Sequence, residues 1–181
     1  MQASIKMGTK SKDYLIEFNK LHMGSNQFEF KLNDAFFAQI EGSIINKAEA
    51  VVTLELTKTE TMYELHFTLT GTVGQKCDNC LDDIDIPLEN EFYLLMKVSE
   101  NEDYSDDEIV YVTKNILEYD LTQYLYESFV LSIPPRNVCE MAGKKCNPEL
   151  VSKINNFDND DKDGNQTNPM WDKLKGIFNN N

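Results

Sequence analysis

Apolar and polar residues alternate along much of the first two thirds of the chain. Such runs are found at residues 28–32, 50–57, 63–70, 84–88 and 92–98. An alternation with a period of two residues places one set of side chains on a buried face and the other in water, which is typical of β-strands. The short connection of Lys58, Thr59 and Glu60 predicts a hairpin between the second and third runs. Gly71 and Gly74 predict a tight turn before Cys77.

The pattern changes to a helical period near residue 120. Asp120 as the N-cap and Gln123 at the third helical position predict a capping box. Pro134 and Pro135 would end this helix, since proline lacks a backbone donor and constrains the residue before it. One face of the predicted helix carries Leu121, Tyr124, Leu125, Ser128 and Phe129.

Two further short helices are predicted where asparagine precedes proline. Asn147 caps the first of them, and the pair at residues 168–169 begins the second, which contains Trp171. Trp171 and its apolar neighbours are expected to dock on the body of the protein or on a partner, because a helix this short is unstable alone.

These elements together predict an α+β fold. Its first two thirds would form a mostly antiparallel β-sheet or a partly closed barrel, followed by a helix, a cysteine-bearing loop and short C-terminal helices. We predict a single domain at 1–156, an acidic flexible linker at 157–167 and a short C-terminal helix and tail at 168–181. A chain of 181 residues can bury a core without the help of metals or disulfides.

The composition is strongly acidic, with 31 acidic against 17 basic residues and a net charge of -14. Such a charge repels phosphate backbones and disfavours broad nucleic-acid binding. The acidic loop at 100–108, with Asp103, Asp106 and Asp107, is either a solvated excursion or a docking site for a basic partner. A locally basic segment offers RNA or phosphate contacts, or only solvated charges, and it comprises Arg136, Lys144, Lys145 and Lys153.

Four cysteines in two pairs carry the clearest chemical signal. Cys77 and Cys80 form a C-x-x-C motif, and Cys139 and Cys146 follow about sixty residues later. No signal peptide or membrane-spanning run is evident, so we expect a soluble, cytoplasmic protein. Paired cysteines in a reducing compartment favour a structural zinc site. The alternatives are four reduced, unliganded thiols or a redox pair, although the neighbouring aspartates would raise the thiol pKa and oppose reactivity.

No catalytic constellation stands out in the sequence. The two histidines, His22 and His66, have no recognisable triad around them, and there is no phosphate-binding glycine loop. Residues 161–172 resemble a calcium loop, but Gln166 replaces its required glycine. We therefore expect no enzyme and no small-molecule substrate, with a thiol or metal-dependent enzyme as the alternative.

Six segments of the chain follow one another in a fixed order: 71–81, in which Leu81 follows the C-x-x-C motif, and 120–121, 127–128, 131–134, 146–147 and 168–174. In this order they resemble the YceD-like family of large ribosomal RNA subunit accumulation proteins, whose C-x-x-C-L segment is similar to residues 71–81. The chain has only Cys139 and Cys146 where some members carry more cysteines. The resemblance implies a role in the accumulation or maturation of large-subunit ribosomal RNA, without a known catalytic activity.

The predicted function is accordingly that of a noncatalytic factor in large ribosomal subunit RNA accumulation. Its partners would be a ribosomal or assembly protein and, at the basic segment, large-subunit RNA. The alternative is a zinc-stabilised protein-interaction module unrelated to ribosomes.

Overall fold

The computed structural model describes residues 12–99 and 109–152. Its seven described strands are β1 (Leu15–Glu17), β2 (Gly24–Leu32), β3 (Ala48–Lys58), β4 (Met62–Lys76), β5 (Asp83–Val98), β6 (Ile109–Val112) and β7 (Glu118–Asp120). Two α-helices have both ends within the described residues: α1 (Asp34–Ala38) and α2 (Thr122–Leu131). Short 3-10 helices span Lys12–Tyr14, Phe18–Lys20 and Cys139–Ala142.

The main sheet has five strands in the order β2-β3-β4-β5-β6. The first four are antiparallel, and the short β6 runs parallel to β5 at the edge. The strands β1 and β7 pair in a separate two-stranded sheet. Within the described residues β2 and β6 do not pair with each other, so the α+β fold with a mostly antiparallel sheet is confirmed and the described sheet does not close into a barrel.

One face of the main sheet packs against the helices and forms the core. Phe67 at the centre of β4 lies beside Phe92, and Phe37 of α1 contacts Phe129 of α2 with ring centroids 4.7 Å apart. The predicted helical face is confirmed, because Leu121, Leu125 and Phe129 are buried. The opposite face, here called the outer face, consists of the alternate residues of 25–31, 49–57, 62–72 and 87–97.

The hairpin between the alternating runs is confirmed, since β3 and β4 pair from Lys58 and Tyr63 onward. The turn expected at Gly71 and Gly74 is wrong, because both glycines lie inside β4. Gly71 faces Ala50 of β3 so closely that a side chain would clash with it. A glycine within a strand often marks such a close approach of two backbones rather than a turn.

The capping box is also wrong, because α2 begins at Thr122 with Leu121 as its N-cap. Asp120 belongs to β7, and its Oδ1 accepts a hydrogen bond from the Thr122 backbone at 2.9 Å. The Gln123 amide donates to Glu127 at 2.8 Å instead of returning to the cap. Strand pairing with β1 fixes the Asp120 backbone, and this tertiary constraint shifts the start of the helix.

No helix in the two described stretches is long and apolar enough to cross a membrane.

Candidate metal centre

The C-x-x-C motif forms a tight turn between β4 and β5. The Cys77 backbone N–H donates to the Asp82 carbonyl, and the Leu81 N–H donates to the Cys77 carbonyl, both at 2.8 Å. Leu81 takes a φ of 62°, in the left-handed region that favours glycine or asparagine. The turn buries Cys77 and Cys80 while Leu81 is exposed.

The second pair of cysteines lies on a loop that folds back after α2. Cys139 begins a 3-10 helix that ends at Ala142, and the next residue, Gly143, reverses the chain with a φ of 66°. The Lys144 N–H then donates to the Cys139 carbonyl at 2.9 Å. Cys146 follows just before Asn147, whose Oδ1 accepts from the Glu149 N–H at 3.0 Å. The predicted cap at Asn147 is therefore confirmed, and residues 148–152 are helical.

A pair of hydrogen bonds joins the two cysteine-bearing segments independently of the thiols. The Asp78 N–H donates to the Asn137 carbonyl at 2.7 Å, and the Asn137 N–H donates to Asp78 Oδ2 at 2.6 Å. Arg136 adds a longer contact from Nη2 to Asn79 Oδ1, at 3.3 Å. A separation of 59 residues leaves no local sequence signal for these hydrogen bonds beyond a turn-forming aspartate.

The two loops bring all four sulfur atoms within 4.8 Å of one another. The sulfur of Cys77 lies 3.7 Å from that of Cys146, and the sulfur of Cys80 lies 3.4 Å from that of Cys139. Disulfide sulfurs are about 2.05 Å apart, so the four thiols are free. A tetrahedral zinc with bonds of about 2.3 Å holds its sulfurs about 3.8 Å apart. The cluster therefore fits zinc in its donor type, donor number and spacing.

The pKa values of the thiols differ across the cluster. Burial raises the pKa of Cys77, but hydrogen bonds from the backbone of Cys80 and Asn79, together with hydrogen bonds from Cys139, outweigh it and lower the pKa to about 6. This direction is opposite to the increase expected from nearby aspartates, because the folded turn directs its amides at the sulfur. Burial raises the pKa of Cys139 and Cys146. Four adjacent thiolates need a compensating cation, and metal binding releases their protons.

Three of the predicted RNA-contacting residues lie around this cluster and are exposed: Arg136, Lys144 and Lys145. They share the region with carboxylates. Beside the turn is an open cleft of about 640 Å³ that contains Lys47 and Lys76 together with Asp78, Asp83 and Asp85. The region thus mixes both signs of charge, and the RNA contact stays a prediction.

Five other predicted site residues lie outside the described residues: Asp103, Asp106, Asp107, Lys153 and Trp171. The predicted linker at 157–167 and the C-terminal helix and tail at 168–181 also lie outside them.

Comparison with known families gives a match that covers more than half of the chain. A family described as "Large ribosomal RNA subunit accumulation protein YceD" matches residues 65–178. The matched stretch includes all four cysteines and the whole of α2. No curated protein and no solved structure matches the chain.

Proposed function

We propose a function from one premise, that the chain belongs to the YceD family of large ribosomal RNA subunit accumulation proteins. Membership relates the chain to large-subunit ribosomal RNA. Our proposal adds that the protein is a noncatalytic factor in the accumulation or maturation of that RNA and that it acts through contacts with ribosomal or assembly proteins. We place this role in the cytoplasm, where reducing conditions keep thiols available to a metal.

The closed arrangement of the four thiols carries the noncatalytic part of the proposal. Catalytic zinc sites keep one coordination position for water or substrate, whereas structural sites fill all four with protein ligands. Cys77, Cys80, Cys139 and Cys146 supply four ligands from within 4.8 Å, and three of the four are buried. This donor set supports a structural zinc.

Our proposal gives this site a mechanical role. Zinc, when bound, would supply a cross-link between the turn that precedes β5 and the loop that follows α2. The reciprocal hydrogen bonds between Asp78 and Asn137 orient the two segments. The zinc cross-link and these hydrogen bonds together would hold Arg136, Lys144 and Lys145 at fixed positions relative to the sheet. Those three residues are our candidates for local RNA contacts.

A second function is favoured by the same cluster, namely a zinc-stabilised interaction module that does not act on ribosomes. Zinc binding by the four cysteines would stabilise the surrounding surface, but it does not specify which molecule binds there. Affinity capture separates the two functions, because the proposed role requires large-subunit precursors among the captured complexes.

The experiment that tests the proposed function is removal of the protein from the cells that produce it. We expect large-subunit RNA to fall relative to small-subunit RNA and the full chain to restore it. The small-subunit RNA serves as the internal control for general loss of transcription. An unchanged ratio, together with no capture of large-subunit precursors, would reject the role.

A further inference from the structure

The outer face of the main sheet is uncovered by any described residue and carries an unbalanced charge. Two lysines, Lys31 and Lys97, are its basic residues among those described. Its acidic residues are Glu29, Glu49, Glu55, Glu64, Glu89 and Glu91. An acidic sheet face attracts cationic protein segments and repels nucleic-acid backbones.

A shallow depression of about 420 Å³ lies in this face. Glu55, His66 and Tyr93 stand side by side there on three adjacent strands. The rings of His66 and Tyr93 stack with centroids 4.4 Å apart and an interplanar angle of 1°. Tyr93 is nonetheless 67% exposed, so the depression combines an accessible aromatic ring with polar walls that include Glu64 and Thr57.

The carboxylate of Glu91 lies at the side of this aromatic pair. Its Oε2 is 3.4 Å from the Tyr93 hydroxyl and 3.4 Å from Nε2 of His66. Both contacts are longer than the usual 2.7–3.0 Å of strong hydrogen bonds to carboxylates. The carboxylate therefore keeps the capacity to accept shorter bonds from an incoming cationic donor.

A guanidinium group matches this combination better than an ammonium group does. It is planar, it stacks on aromatic rings, and it donates paired hydrogen bonds to carboxylates. An ammonium group is a compact and strongly hydrated charge that gains less from a flat ring. The depression thus has the chemistry to distinguish arginine from lysine.

We propose that the outer face binds an arginine-bearing basic segment of a partner protein, with an arginine side chain in the depression lined by Glu55, His66 and Tyr93 and within reach of the neighbouring Glu91. The inference deepens the proposed function and rests on it only for the partner being a ribosomal or assembly protein. The surface chemistry itself depends on the residues named here.

Binding of a fluorescein-labelled peptide of alternating Arg and Gly to the full chain tests the proposal, with a Lys-Gly peptide of equal length as the comparison. We expect tighter binding of the Arg peptide. Tyr93→Thr, which keeps a strand-forming residue, should remove that preference. The double variant Glu55→Gln, Glu91→Gln should weaken binding of the Arg peptide about tenfold, which corresponds to about 1.4 kcal/mol.

The matched control is Glu60→Gln, Glu118→Gln, which removes the same charge from exposed positions outside the depression. This control should bind the Arg peptide nearly as the unchanged chain does. Equal loss in the control, or equal binding of the two peptides by the unchanged chain, would overturn the proposal. Loss of large-subunit RNA binding or of self-association in the depression variants, with peptide binding intact, would also overturn it.

The two hypotheses fail in different assays. Peptide binding by the purified chain tests whether the outer face binds arginine. The ratio of large-subunit to small-subunit RNA in cells tests the proposed function. Circular dichroism of each variant verifies that the sheet is intact.

Discussion

At the scale of single residues, backbone geometry explains two positions that side-chain patterns do not. Leu81 occupies the left-handed region although it is neither glycine nor asparagine, because the C-x-x-C turn requires that conformation there. Gly71 has an ordinary strand conformation, and glycine is required there because a side chain would not fit against β3. An added Cβ would lie 2.5 Å from the Glu49 carbonyl oxygen and would overlap Ala50.

Gly71→Ala should therefore lower the free energy of unfolding by on the order of 2 kcal/mol, since β3 and β4 must separate to accept the methyl group. Urea denaturation measures the change. Gly74→Ala is the matched control in the same strand, where the new methyl group meets mainly the Lys47 side chain at 3.1 Å. Gly74→Ala should cost less. An equal cost for the two variants would show that close packing at Gly71 is not the cause.

At the scale of elements, the cysteine cluster joins two segments that are distant in sequence. One segment is the turn between β4 and β5, and the other follows α2. The hydrogen bonds between Asp78 and Asn137 already hold them together, one between backbone groups and one from the Asn137 N–H to the Asp78 carboxylate. A metal would thus bind to a partly organised site, and removal of one thiol should affect the loops more than the sheet.

Purified without chelator, the chain should contain about one zinc per molecule. Cys77→Ser should lower the zinc content and speed hydrogen exchange at the Lys144 amide, which bonds to the Cys139 carbonyl. Asn79→Ser changes the same turn without removing a thiol and should retain the metal. Full zinc occupancy in the double variant Cys77→Ser, Cys80→Ser would contradict the assignment.

At the scale of the whole molecule, the net charge of -14 governs encounters before any contact is made. Long-range attraction acts on basic partners, and it weakens as salt screens the charges. Acidic residues are present on the outer face and in the loop at 100–108. The loop lies outside the described residues, so its part in docking stays a prediction from sequence.

Replacing Asp103, Asp106 and Asp107 by Asn should slow association with a basic ribosomal or assembly protein and reduce its dependence on salt. Association rates at several salt concentrations measure both effects. The control neutralises the positively charged Arg136, Lys144 and Lys145. It should change the association rate less than the loop replacements do. Salt-sensitive binding to purified large-subunit RNA that is lost with these basic residues and unaffected by the loop changes would reverse the assignment.

Local sequence patterns were enough to predict the strand-rich first part, the buried face of α2 and the two cysteine pairs. Each of these depends on local spacing: a period of two in the strands, a helical period in α2, and two residues between Cys77 and Cys80. Local spacing also correctly placed the cap at Asn147. The short α1 was missed, although Asn33 at its start, which accepts from the Phe36 N–H at 3.2 Å, offered a capping signal.

The features that depend on distant partners follow from strand pairing and packing and have no local sequence signal. Pairing of β7 with β1 moved the start of α2, and the approach of Ala50 made Gly71 a strand residue rather than a turn. The clustering of the four cysteine sulfurs likewise depends on residues from separate elements, as does the stacking of His66 on Tyr93. The alternation of apolar and polar residues predicts whether a side chain is buried or exposed. Strand order and register determine which residues from different strands lie next to each other.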